Sequence, residues 1–126
     1  MTTPSGSVRA NLVHIAARRI FSAEITWSAG VIEHIVELGA DNPAWPYLIP
    51  GFIDAHVHIE SSLLPPAEFA RLAVRHGTVA SVSDPHEIAN VLGLDGVLWM
   101  LANAAQTPFH VLFGAPSCVP ATAFET

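Results

Sequence analysis

Lysine is absent from the 126-residue chain, and five arginines are its only permanently cationic side chains. Eleven acidic residues outweigh them, for a formal net charge of −6. So few basic groups argue against a nucleic-acid partner, because phosphate contacts need cationic side chains. The missing lysine also means that no lysine carbamate can bridge two metal ions. Cysteine occurs once, at Cys118. One thiol excludes an internal disulfide framework and fits a reducing, cytoplasmic setting. No apolar run approaches the ~18–20 residues that cross a bilayer, so no membrane partner is expected. The opening MTTPSGSVRANLVH lacks a positive n-region followed by an apolar stretch, and no secretory signal is read there. What remains is apolar: 51% of residues are hydrophobic and 13% charged, the reverse of a disordered acidic tail. The length suits one domain.

Residues 1–8 are small and polar and are expected to fray. Arg19 to Leu38 predicts a β-hairpin turning at Ser28-Ala29-Gly30, with Ile32, Val36 and Leu38 on one parity and Glu33 and Glu37 on the other. Asp41-Asn42-Pro43 and Pro46 mark a loop. The pattern then changes. Leu48 to Ala55 predicts a short apolar strand. Pro65-Pro66 opens a helix running to about His76, with Gly77 suited to the residue past its end. Thr78 to Ser83 predicts a second strand, Leu94 to about Gln106 a second helix, and Phe109 to Phe113 a third strand. Short apolar strands alternating with helices imply parallel pairing in an α/β fold.

The sharpest chemical feature is Asp54-Ala55-His56-Val57-His58-Ile59-Glu60. Two histidines two apart at a strand end point to the same side and can hold one metal ion. A bare His-x-His is about as often two partly exposed histidines, so position has to decide. Polar groups gather after every one of the three parallel strands: His56, His58, Glu60, Ser61 and Ser62; then Ser83, Asp84, His86 and Glu87; then Ser117 and Cys118. Ligands of parallel α/β folds bind at these carboxyl ends. His58-x-Glu60 matches half of the cytidine-type deaminase signature, but the Pro-Cys-x-x-Cys half needs a second cysteine. Cys118 as a nucleophile is conceivable, though a packing or loop-shaping thiol is the more frequent role. His14, His34, His76 and His110 have no partner at ligand spacing. Trp27, Trp45 and Trp99 read as packing residues.

Pro50-Gly51-Phe52-Ile53-Asp54-Ala55-His56-Val57-His58 resembles the first-strand motif of the amidohydrolase superfamily. Three further blocks resemble its adenine deaminase branch: Ile59-Glu60-Ser61-Ser62, Ser83-Asp84-Pro85-His86-Glu87-Ile88-Ala89-Asn90-Val91, and Ala115-Pro116-Ser117-Cys118-Val119-Pro120-Ala121-Thr122. The resemblance covers about residues 19–126. It implies an α/β fold: a TIM-like (β/α) barrel of which about three βα units fall in 48–126, preceded over 1–47 by the N-terminal part of a small β-sandwich. It implies hydrolysis of adenine to hypoxanthine and ammonia at a divalent metal centre, usually binuclear, with iron or manganese favoured and zinc as the alternative. His56 and His58 would be metal ligands. Asp84, His86 and Glu87 would contact substrate or move protons. Asp54, Glu60, Ser61 and Ser117 would support the centre or touch substrate. In this family a carboxylate takes the bridging place of the lysine carbamate.

A complete barrel needs ~250 residues. The chain is therefore expected to be the N-terminal portion of such an enzyme and inactive alone, with a homo-oligomeric parent compatible. Two other readings stay open: an amidohydrolase acting on a cyclic amide, and a non-catalytic α/β module that binds a metal or a partner.

Overall fold

The computed structural model describes residues 4–115. It divides into two compact units, 1–50 and 51–126.

The first unit is a four-stranded sheet in the order β3-β2-β1-β4, built from β1 (Gly6–His14), β2 (Arg19–Ser28), β3 (Val31–Gly39) and β4 (Tyr47–Leu48). The expected hairpin is β2 and β3. Its turn places Ala29 at φ 54° and Gly30 at φ 78°, the twist that suits a two-residue hairpin. The expected fraying of 1–8 does not hold for Gly6–Val8, which lie in β1 paired with Ile25–Trp27. The parity read for β3 also fails. The register slips between Thr26 and Trp27, so Ile32 faces Trp27 while Ile35 faces Ile25. The bulge thus brings Ile32 and Ile35 to one face and sends Val36, opposite Glu24, to the other.

Phe21, Ala23 and Ile25 of β2 form the small core of this sheet, with Val8, Leu12 and Leu48 against it. The polar centre is Asn11, fully buried. Its Nδ2 donates to the carbonyls of Asn42 (2.8 Å) and Trp45 (3.1 Å). Its Oδ1 accepts from the Asn42 N–H (2.8 Å) and the Ser22 hydroxyl (3.2 Å). Every hydrogen-bonding position of that side chain is used. The loop 42–46 is thereby clamped to β1, and Tyr47 pairs in parallel with Asn11.

The second unit is a parallel sheet in the order β5-β6-β7, from β5 (Phe52–Val57), β6 (Thr78–Ser83) and β7 (His110–Phe113). The strand expected over 48–55 is divided: Tyr47–Leu48 belongs to the first sheet and β5 begins at Phe52. Pro50 explains the division, since it has no N–H to give to a ladder. Helix α1 (Pro66–Ala73) starts at Pro66. It tightens into a 3₁₀ turn (Val74–His76), and Gly77 closes it at φ 87°.

Helix α2 (His86–Ala104) begins eight residues earlier than the pattern predicted. It is two helical pieces joined at Gly93, whose φ 59° and ψ −144° are open only to glycine. Gly96 then lets the second piece fold close to the first: a Cβ there would lie 2.8 Å from Ile88 Cγ1 and 3.0 Å from the Ile88 carbonyl oxygen. The Asn103 side chain accepts from the Ala67 N–H at 2.8 Å, tying α2 to the start of α1. Among the described residues of this unit, Ile59, Ala70, Ala89, Met100, Ala104 and Phe109 are buried, together with Pro66 and Pro85. Among the described residues no helix is long and apolar enough to cross a membrane.

Candidate metal centre

His56 ends in the last turn of the β5 ribbon, and His58 precedes a 3₁₀ turn over Ile59–Ser62. Their side chains converge. The two Nε2 atoms are 3.1 Å apart, with the rings edge to face at 4.9 Å between centroids. One cation ~2.1 Å from each nitrogen would subtend about 95° at that separation, an ordinary ligand angle. The pair therefore fits a divalent ion.

The tautomer of His58 follows from its other nitrogen. Nδ1 lies 3.0 Å from the backbone carbonyl oxygen of Asp84. A carbonyl only accepts, so Nδ1 carries the proton and Nε2 keeps its lone pair for a metal. Asp54 sits at the same strand end, with Oδ1 accepting from the His56 N–H at 3.1 Å. It steadies the backbone that carries the pair.

The polar groups after β6 meet those after β5. Asp84 Oδ2 is 3.3 Å from His86 Nδ1, and the His86 ring lies edge to face with His58 at 4.7 Å. The Ser61 hydroxyl donates to Glu87 Oε1 at 2.8 Å. Glu60 Oε1 accepts from the Ile88 N–H at 3.4 Å in the first turn of α2. The Asp84 N–H donates to the Val57 carbonyl at 3.2 Å. Asp54, His56, His58, Glu60, Ser61, Asp84, His86 and Glu87 thus form one cluster across two neighbouring strand ends. Ser117 and Cys118 lie outside the described residues.

The cluster is electrostatically suited to a cation. None of the five arginines lies between residues 20 and 70 or beyond Arg75. Arg71 is occupied by Glu68 on α1. Four carboxylates and three imidazoles share this rim, and among the described residues no arginine forms an ion pair with any of them. Two of the carboxylate oxygens, Glu60 Oε2 and Asp84 Oδ1, are buried without a hydrogen-bond partner among the described residues. An unpaired buried acceptor is costly, and a site that holds a cation or substrate is where such cost is tolerated.

Sequence reasoning passed over Asn90, whose Oδ1 is also buried and unpartnered. It stands four residues after His86, one helical turn along the same face. The signal was hidden because the segment 84–93 was not read as a helix.

Comparison with known proteins agrees on one family. The chain matches the Amidohydrolase family over residues 47–126. It is 59% identical over 94% of its length to "Adenine deaminase" of Sulfurovum sp.. It is 58% identical over 97% to "Adenine deaminase" of Salinibacter ruber, and 56% identical over 94% to that of Parabacteroides distasonis. The chain spans about a fifth, 22%, of the length of each of these relatives.

Proposed function

We propose, from the premise that this chain belongs to the amidohydrolase family, that it is a segment of a metal-dependent adenine deaminase. The observation that carries the substrate is the 56–59% identity to three adenine deaminases over nearly the whole chain. The convergence of His56 and His58 supports the metal. The βαβαβ unit is then the first part of a (β/α)₈ barrel over 48–126, and residues 1–47 are part of a small β-sandwich. The protein works in the cytoplasm.

The net reaction is adenine plus water to hypoxanthine plus ammonia. A water oxygen bonds to the amino-bearing ring carbon, a ring nitrogen takes a proton, and the carbon–nitrogen bond to the amino group breaks as that nitrogen is protonated. A divalent metal pair, with iron or manganese favoured and zinc as the alternative, would supply the Lewis acidity that makes water nucleophilic near neutral pH. His56 and His58 would be among the residues that hold it. Asp54 and the Asp84 carbonyl keep those imidazoles aimed. Asp84, His86 and Glu87 line the rim, in reach of substrate, and His86 and Glu87 move the protons. Ser61 fixes the Glu87 carboxylate, and Glu60 ties the β5 turn to α2.

The test is an adenine turnover assay on the whole protein with its metal content measured beside it. Hypoxanthine and ammonia in equal amounts, with metal bound, is the expected result. Hydrolysis of a cyclic amide with adenine untouched would overturn the substrate. A metal-free protein that turns adenine over would overturn the centre. The 126-residue chain alone is expected to make no hypoxanthine, since two imidazoles are too few ligands to hold a catalytic pair firmly.

A further inference from the structure

The neighbourhood of Asp84 carries more than the proposed reaction uses. Asp84 engages two imidazoles at once: its backbone carbonyl takes His58 Nδ1 at 3.0 Å, and its carboxylate Oδ2 takes His86 Nδ1 at 3.3 Å. Both acceptors draw the ring proton to Nδ1. Both rings are therefore left with a free lone pair on Nε2. A carboxylate behind an imidazole is the usual outer partner of a metal-bound histidine.

One ligand atom from each of His58, His86 and Glu87 lies within 4.8 Å of the others, and all three residues are half-buried. A tetrahedral cation with ligands at ~2.1 Å holds them ~3.4 Å apart, so the group must close by at most ~1.4 Å. Glu87 can supply that movement, because its carboxylate is held by the exposed Ser61 hydroxyl. His56 is not part of this group.

We propose that His58, His86 and Glu87, aimed by Asp84, form a second position for a divalent cation, separate from the one between His56 and His58. Two imidazoles and one carboxylate suit zinc or cobalt. His58 Nε2 has one lone pair, so the two positions exclude each other. An ion in the second position also occupies the two groups assigned above to proton transfer. The inference concerns binding by this chain's own residues, and adenine turnover plays no part in its test.

The experiment is titration of Co²⁺ and Zn²⁺ into the purified 126-residue chain, followed by calorimetry and by the visible absorption of Co²⁺. One ion per chain is expected. His86→Ala and Glu87→Gln should each weaken binding by at least ~10-fold, and Asp84→Asn by about 10- to 100-fold. His56→Ala should change it by less than about 3-fold. In the unmutated chain, nitrogen-detected NMR should show the His58 and His86 Nε2 signals moving on zinc addition, with His56 unmoved; this arm does not depend on a variant folding. Loss of binding in His56→Ala with His86→Ala unaffected would overturn the proposal and place the ion on the first pair. Absence of any binding, or movement of His56 without His86, would overturn it equally.

Discussion

The two units differ in how far their buried polar groups are paired. In the first, the Asn11 side chain is fully buried and makes four hydrogen bonds, so that its polarity becomes a clamp. Among the described residues, five side-chain oxygens of the second unit (Glu60 Oε2, Ser81 Oγ, Ser83 Oγ, Asp84 Oδ1 and Asn90 Oδ1) are buried without partners, against one, Thr26 Oγ1, in the first. A saturated buried amide contributes to stability and fixes register; an unsaturated acceptor costs stability and waits for something to bind. The first unit is organised to hold a shape, the second to present groups at the ends of its strands. Glu60 and Asp84 belong to the rim, whereas Ser81 and Ser83 are fully buried within β6.

The contrast can be broken in order of expected effect. His58→Ala in the whole protein should lower adenine turnover at least ~100-fold and remove bound metal with it; full metal occupancy with normal turnover would remove the second unit's claim to a site. Asn11→Leu should cost about 3 kcal/mol in denaturant unfolding of the 126-residue chain, because the Asn42 and Trp45 groups lose their partners inside the sheet. A loss below about 1 kcal/mol would show that the clamp is dispensable. Gly96→Ala should cost about 1–3 kcal/mol, since its Cβ meets the Ile88 backbone. Hydrogen exchange at Ile88 should rise with it, as the first piece of α2 is pushed away. Ala29→Asn should stabilise by about 1 kcal/mol, because asparagine accepts the left-handed conformation imposed on Ala29. Ser81→Ala should be neutral within about 0.5 kcal/mol, having no hydrogen bond to lose. Equal destabilisation by Ser81→Ala and Asn11→Leu would erase the distinction drawn above.

Legibility followed the range of the interactions. The hairpin turn at Ala29-Gly30, the start of α1 at Pro66, its stop at Gly77 and the β-branched strand Thr78–Ser83 were all readable, because each rests on local backbone preference. The β3 bulge was not, since it depends on how Trp27 and Ile32 pair across two strands. Neither was the first half of α2, where Pro85, Gly93 and Gly96 look like breakers and only packing against Ile88 makes a bent helix of them. Asn11 was overlooked altogether, because an asparagine in a strand looks unremarkable until the distant 42–45 loop arrives to use it.

By itself the amino-acid order decided the chemistry on offer: two histidines two apart, carboxylates beside them, and no lysine. It also decided the alternation of strand and helix, since hydrophobic period and glycine–proline punctuation act over a few residues. Only the folded chain decided which groups meet. The carbonyl of Asp84 reaches His58 from 26 positions away because parallel pairing sets β5 and β6 side by side, and adjacency of that kind is a property of the sheet, not of any stretch of sequence.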